Sequence, residues 1–123
     1  MVISTEELKK MIDENSNYIL IDVRRDEELK HGMIPTAKHL VLDDFQEAFD
    51  LIEEDFKEKY GFDKPKTISE SGNSKLILII VYCRSGSRSD MAANYLRSKG
   101  HNVKNYQGSV KAWSEIDDNV NMY

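Results

Sequence analysis

A single cysteine stands in the segment of this chain that is best suited to chemistry. Cys83 begins the heptapeptide Cys-Arg-Ser-Gly-Ser-Arg-Ser and directly follows an apolar run at residues 76–82. The run is typical of a buried parallel strand, and the apolar spacing over residues 87–99 predicts a helix. The cysteine would then lie at a helix N-terminus, where unpaired amides favour an anion and lower the pKa of a thiol. We therefore predict that Cys83 is a catalytic nucleophile.

The residues after the cysteine are suited to binding a small anion. Gly86 permits a backbone turn with positive φ, and Ser85 and Ser87 add hydroxyl donors. Arg84 and Arg88 bring two cations to the same loop. A cation in the first turn of a helix opposes the helix dipole, and a bound anion near Arg88 would remove that conflict. We assign all five of these residues to substrate binding.

Short apolar segments alternate with helical patterns along the chain. The strand candidates occupy residues 2–3, 18–21, 39–42, 76–82 and 103–106. The helix candidates occupy residues 5–14, 26–29, 45–56 (as one helix or two), 87–99 and a closing segment from residue 109. This alternation predicts an α/β fold with a parallel sheet. Residues 66–74 are polar and contain a glycine, so they are predicted to form a mobile loop.

Length and composition limit the classes of function. The 123 residues have the size of one domain, and the net charge of −5 argues against a nucleic-acid binder. One cysteine cannot form an intramolecular disulfide and suggests a reducing compartment. The longest apolar stretch is far shorter than the roughly 20 residues that a membrane span needs. We expect a single domain over residues 1–123 in the cytoplasm, without a membrane or nucleic-acid partner, and a mitochondrial location stays open.

Three blocks of the sequence resemble the rhodanese family of sulfurtransferase domains. The first is Asp-Val-Arg at residues 22–24, followed by Glu-Glu at residues 27–28 and Gly-Met-Ile-Pro-Thr-Ala at residues 32–37. The second is the cysteine loop at residues 83–88, and the third is the Asn-Tyr-Gln-Gly-Ser…Trp segment at residues 105–113. The blocks follow the order of the family and together extend over most of the chain.

The chain departs from the family pattern at three positions. Met33 stands where the family often has histidine, and Thr36 and Ser109 stand where it often has glycine. These departures bear on the conformations of loops rather than on the nucleophile. The insertion at residues 43–74 resembles that of single-domain eukaryotic thiosulfate sulfurtransferases, some of which use glutathione as the acceptor.

The resemblance implies a three-layer α/β/α fold with a central, mainly parallel, five-stranded sheet. It also implies transfer of a sulfane sulfur from thiosulfate or a similar small anionic donor, through a Cys83 persulfide, to cyanide or to a thiol such as glutathione or thioredoxin. Asp22, Arg24 and Ser89 are expected to support the loop. No metal or organic cofactor is expected, and the default for a small acidic domain is a monomer.

Two other functions stay open from the sequence. A rhodanese-like module can bind a partner or carry sulfur without appreciable turnover, because a fold alone does not establish a function. Cysteine-dependent phosphatases and arsenate reductases resemble this arrangement, but their loops carry one more residue between cysteine and arginine. Four residues separate Cys83 from Arg88, which favours the smaller sulfur substrate.

Overall fold

Four parallel strands form the sheet in the computed structural model, which describes residues 1–72 and 75–123. The strands are β1 (Tyr18–Asp22), β2 (Lys38–His39), β3 (Leu78–Tyr82) and β4 (Asn102–Asn105). Their order across the sheet is β2-β1-β3-β4, so β3 lies between two neighbours. Its apolar, β-branched sequence suits that central position, where both faces are covered. The predicted α/β class and parallel sheet are confirmed.

The expected fifth strand is reduced to a single bridge. Val2 forms a parallel bridge with Asn105, and the Ile3 amide donates to the Asn105 carbonyl at 3.1 Å. Pairing stops there because Ser4 begins a capping box, in which its hydroxyl accepts from the Glu7 amide at 3.1 Å. The chain therefore turns into a helix directly after the bridge.

Helices connect the strands and cover both faces of the sheet. The α-helices are α1 (Thr5–Asp13), α2 (Phe45–Asp50), α3 (Glu53–Tyr60), α4 (Ile68–Ser71), α5 (Ser87–Ser98) and α6 (Ser109–Trp113). Two 3₁₀ helices occupy Asp26–His31 and Leu42–Asp44. The pattern over residues 45–56 thus belongs to two helices, because Leu51 is extended between them.

The loop prediction for residues 66–74 is wrong where α4 forms. The Thr67 hydroxyl accepts from the Glu70 amide at 3.3 Å, and the Glu70 carboxylate accepts from the Thr67 amide at 2.9 Å. This reciprocal cap stabilises a single turn of helix. Residues 73–74, which the same prediction included, lie outside the described residues.

Alternating side chains of the strands build two apolar cores, one on each face. Ile21, Ile79 and Val81 pack on one face with buried residues of α2, α3 and α5. Leu20 and Ile80 point to the other face and pack with buried residues of α1 and α6. Successive residues of a strand face opposite sides, so the short apolar runs serve both cores. The result is the predicted three-layer α/β/α arrangement.

Strand register brings two loops together at the carboxyl edge of the sheet. Asp22 at the end of β1 pairs with Tyr82 at the end of β3. The Val23 amide donates to the Tyr82 carbonyl at 3.0 Å, so the next residues of both strands lie side by side. Ligands of open parallel sheets bind at this edge.

Candidate active site

Cys83 lies directly after β3 and is fixed by the first turn of α6. Its amide donates to the Ser109 hydroxyl oxygen at 3.1 Å, and its carbonyl accepts from the Val110 amide at 3.1 Å. The residue is 1% exposed. Its backbone is therefore held from a segment 26 residues away.

Two backbone amides and two hydroxyl groups surround the Cys83 sulfur. The Gly86 amide lies 3.0 Å from Sγ, and the Ser89 amide lies 3.4 Å from it. The thiol donates to the Ser89 hydroxyl oxygen at 3.5 Å, the Ser89 hydroxyl donates in turn to the Gly86 carbonyl at 3.1 Å, and the Ser109 hydroxyl lies 4.0 Å from the sulfur. Because the loop wraps around Sγ before entering α5, these groups form a cradle for negative charge at the thiol.

The cradle lowers the pKa of the Cys83 thiol. Burial acts against this by raising the pKa, since it disfavours the charged form. A hydrogen bond with the Ser89 hydroxyl and hydrogen bonds from the amides of Ser89, Gly86 and Ser85 together outweigh burial and hold the pKa below its ordinary value. The thiolate, which is the reactive form, is thus more populated near neutral pH than in a free cysteine.

Glycine is required in the middle of the loop. Gly86 has φ +109°, and a Cβ there would stand 2.6 Å from the Gln107 carbonyl oxygen. Its two serine neighbours, Ser85 and Ser87, are exposed. Gly86 thus positions an amide on the sulfur, and the substrate-binding roles of these three residues stay predictions.

Arg88 is paired with Glu28, a carboxylate that is not among the predicted site residues. Its Nη1 and Nη2 donate to the two oxygens of Glu28 at 2.5 and 2.8 Å. The guanidinium hydrogen bond lowers the pKa of the Glu28 carboxyl to about 2, against a smaller opposing effect of burial. The conflict between Arg88 and the helix dipole is therefore relieved by Glu28. Glu28 belongs to the Glu-Glu pair of the resemblance, which was the available signal.

Asp22 and Arg24 form a fully buried ion pair next to the loop. Arg24 Nε donates to both oxygens of Asp22 at 3.0 and 3.1 Å, and Nη2 donates at 2.8 Å. The guanidinium also donates to the carbonyls of Gly32 at 2.7 Å and Glu28 at 3.3 Å. Arg24 thereby anchors the 3₁₀ helix that presents Glu28 to Arg88. This arrangement suits the loop-supporting role that we predict for the pair.

Tyr123 also contacts the site, and nothing in the sequence pattern indicated it. Its phenol donates to Glu28 Oε2 at 2.5 Å and accepts from Arg24 Nη1 at 3.2 Å. Its backbone oxygen accepts from the guanidinium of Arg84. Tyr123 lies 95 residues from Glu28 and 99 residues from Arg24 along the chain, so only the fold brings these side chains together.

Thr36 and Ser109, which stand where the family often has glycine, keep the positive φ that glycine favours. Thr36 has φ +74° and Ser109 has φ +53°. Each costs roughly 1–2 kcal/mol relative to a right-handed conformation. The hydroxyls of Thr36 and Tyr18 share a hydrogen bond at 2.8 Å, and the Ser109 hydroxyl donates to the Tyr106 carbonyl at 2.9 Å.

Residues 1–72 and 75–123 hold no group of three histidine, cysteine or acidic side chains placed to bind a metal ion. Within the same residues, no helix combines the length and apolar character that crossing a membrane requires.

Comparisons with known proteins agree with this geometry. A Schizosaccharomyces pombe protein, provisionally named as a mitochondrial thiosulfate sulfurtransferase, is 38% identical over 109 residues, which cover 88% of this chain and 71% of that protein. The thiosulfate:glutathione sulfurtransferase of Homo sapiens is 30% identical over 97 residues, 78% of each chain. The structure of the human single-domain sulfurtransferase TSTD1 superposes with a TM-score of 0.81 at 26% identity, covering 94% of this chain and 96% of that one. The family model described as Rhodanese-like domain matches residues 4–116, so this chain belongs to the rhodanese-like domain family.

Proposed function

We propose that this protein is a sulfurtransferase that moves a sulfane sulfur from thiosulfate, or a similar small anionic donor, to a thiol acceptor or cyanide. The observation that carries the proposal is the convergence of the Gly86 and Ser89 amides on the buried sulfur of Cys83, next to the Ser89 hydroxyl. Such a cradle favours a thiolate before the reaction and an anionic sulfur after it. The names of the relatives describe the same class of reaction.

In the first step the Cys83 thiolate attacks the outer sulfur of the donor. A sulfur–sulfur bond forms to Cys83 while the sulfur–sulfur bond of thiosulfate breaks, and sulfite leaves with the electron pair. The terminal sulfur of the resulting persulfide carries the negative charge that the thiolate carried before. The loop amides and the N-terminus of α5 can stabilise that charge.

In the second step an acceptor thiolate attacks the terminal sulfur. The new persulfide leaves on the acceptor, and the Cys83 thiolate is regenerated. Residues 1–123 contain one cysteine and so supply no second, resolving thiol, and we propose that the acceptor is a separate molecule. Splitting the transfer into two displacements predicts ping-pong kinetics.

The pairing of Arg88 favours sulfur transfer over phosphate or arsenate chemistry. An oxyanion cradle needs its arginine directed at the bound anion, and here both terminal nitrogens of Arg88 are engaged by Glu28. Of the two loop cations, we propose that Arg84 attracts the oxyanion end of the donor, in exchange for the Tyr123 backbone oxygen to which it donates. The small group that the cradle itself holds is the transferred sulfur.

A steady-state assay with thiosulfate and glutathione tests this function. We expect parallel lines in double-reciprocal plots for the wild type and no turnover for Cys83→Ser. Hydrolysis of a phosphate ester by the wild type, without sulfur transfer, would favour the phosphatase alternative. Sulfur loading in a single turnover without steady-state turnover would favour the carrier alternative.

We further propose that residues 1–123 act as one domain, as a monomer and in the cytoplasm. The two apolar cores share one sheet, which supports a single cooperative unit. Light scattering after size-exclusion chromatography tests the monomer, and a dimer would contradict it. Cell fractionation tests the compartment, and recovery with mitochondria, as the name of the Schizosaccharomyces pombe relative describes for that protein, would contradict it.

A further inference from the structure

Residues 119–123 form a strap that packs against the 3₁₀ helix Asp26–His31 and the glycine that follows it. The Asn121 amide donates to the His31 carbonyl at 2.8 Å, and Val120 is 1% exposed in the core. Gly32 touches the strap so closely that a Cβ there would stand 2.0 Å from the Asn119 carbonyl oxygen. The strap therefore has a defined position on the molecule.

Tyr123 carries the strap to the edge of the cysteine loop. Its ring stacks on His31 with centroids 4.0 Å apart and planes at 11°. Its phenol bridges Glu28 and Arg24, as described above. Both groups belong to the network that fixes Arg88, so one aromatic side chain joins the strap to the charged residues beside Cys83.

The strap also binds the side chain of Arg84. The guanidinium of Arg84 donates to the Tyr123 backbone oxygen and lies over the Tyr123 ring, 5.1 Å from its centroid. A charged hydrogen bond and a cation–π contact act together at this point. Arg88 is held by Glu28, so in the described structure both arginines of the loop are bound to groups of their own chain.

Occupation of Arg84 has a consequence for anionic donors. An oxyanion that binds Arg84 must first displace the Tyr123 backbone oxygen. The apparent affinity for such a donor falls in proportion to the fraction of molecules in which Arg84 is free. The apparent affinity of a reagent that reaches Cys83 without binding Arg84 is not reduced in this way.

We propose that the strap, residues 119–123, determines donor specificity by competing with the donor's oxyanion for Arg84. The inference rests on the proposed function, because it assigns Arg84 to the donor. It adds that the enzyme discriminates against small oxyanions relative to donors that do not engage this arginine. Tyr123 is the residue through which the strap acts.

Alkylation of Cys83 tests the competition without requiring sulfur transfer. Iodoacetate and iodoacetamide both form a sulfur–carbon bond with loss of iodide, and they differ in that only iodoacetate is an anion. Tyr123→Ala removes the His31 stack and the ring under Arg84, so the backbone oxygen loses its anchor. We expect the iodoacetate rate to rise about three- to tenfold, with the iodoacetamide rate changed less than about twofold.

Two further variants make the assignment to Arg84 specific. In an Arg84→Gln background, Tyr123→Ala should give no selective gain in the iodoacetate rate. Met122→Ala is the matched control, because this neighbour in the strap is 39% exposed and should leave both rates as in the wild type. If Tyr123→Ala does not fold, His31→Ala removes the other ring of the stack and should give the same selective gain.

An equal rise with both reagents would overturn the proposal, because the strap would then cover the thiol without competing for Arg84. No rise, or a gain that persists without Arg84, would also overturn it. In the sulfur-transfer assay, the KM for thiosulfate should fall in Tyr123→Ala by the same factor as the iodoacetate rate rises. Failure of the wild type to accept sulfur would refute the proposed function and leave the alkylation result standing.

Discussion

Replacing Glu28 by glutamine separates the charge of this side chain from its shape. Glu28 accepts two hydrogen bonds from Arg88, one from the Tyr123 phenol and one from the Arg25 amide. Glutamine keeps the volume and one acceptor but removes the negative charge. The variant should therefore lose the ion pair with Arg88, while Arg24 still holds the 3₁₀ helix through the carbonyls of Glu28 and Gly32.

The pKa of the Glu28 carboxyl gives the size of the effect. It falls from 4.5 to about 2 in the folded protein. At about 1.36 kcal/mol per pKa unit, this corresponds to at most about 3 kcal/mol of stabilisation. The side chains of Arg88 and Glu28 are 26% and 13% exposed, so water screens part of the interaction. We expect Glu28→Gln to lower the free energy of unfolding by about 1–2 kcal/mol at pH 7.

Urea unfolding at pH 7, 4 and 3 measures this difference. The folded pKa lies below the unfolded one, so the contribution is fully present above about pH 5 and is lost as the pH falls toward about 2. The gap between wild type and Glu28→Gln should therefore narrow steadily with acid. Glu27→Gln, at the exposed neighbouring position, should stay within about 0.5 kcal/mol of the wild type at every pH.

Two results would refute this reasoning. One is a Glu28→Gln variant as stable as Glu27→Gln at pH 7, since the ion pair would then contribute nothing. The other is a deficit that does not change between pH 7 and pH 3, since the loss would then come from packing and not from charge.

Three further predictions concern the loop and its support. Ser89→Ala removes a hydroxyl that lowers the thiol pKa, so the pH profile of Cys83 alkylation by iodoacetamide should move to higher pH. Gly86→Ala places a Cβ 2.6 Å from the Gln107 carbonyl oxygen, and it should lower the free energy of unfolding by about 1–3 kcal/mol. The same variant should lower the rate of sulfur transfer at least about tenfold. Arg24→Met leaves the Asp22 carboxylate buried without a countercharge, and should cost about 3–5 kcal/mol in urea unfolding.

Each of these has a contradicting result. An unchanged pH profile of alkylation in Ser89→Ala would mean that the Ser89 hydroxyl does not lower the pKa of the Cys83 thiol. A fully active Gly86→Ala would mean that the loop tolerates a side chain at positive φ. Arg24→Met should lose far more stability than Lys9→Met, which breaks the exposed pair with Asp13, and equal losses would contradict the role of burial.

Local patterns explain why the centre of the fold could be predicted from the sequence. Residues 76–82 are apolar on both faces, and residues 87–99 repeat apolar positions at helical spacing, so β3, the loop and α5 follow from neighbours in the chain. The length of the edge strand at Val2 and Ile3 is harder to predict, because the Ser4 cap ends the pairing after one bridge. The same capping signature at residues 67–70 marked α4, but the surrounding polar sequence suggested a loop.

The electrostatics of the site could not be predicted in the same way. Arg88 and Glu28 are 60 residues apart, and Tyr123 reaches the site only because the strap packs along the 3₁₀ helix. A sequence shows the charge of an arginine but not the group that will meet it. The cysteine loop thus indicates the type of chemistry, whereas the partners of Arg84 and Arg88 can be identified only from the fold.

Intact-mass analysis after a single exposure to thiosulfate tests the central claim most directly. The wild type should gain the mass of one sulfur atom and lose it when glutathione or cyanide is added, and Cys83→Ser should gain nothing. A wild type whose mass stays unchanged with thiosulfate and with other sulfane-sulfur donors, or a sulfur adduct that persists in Cys83→Ser, would contradict the account.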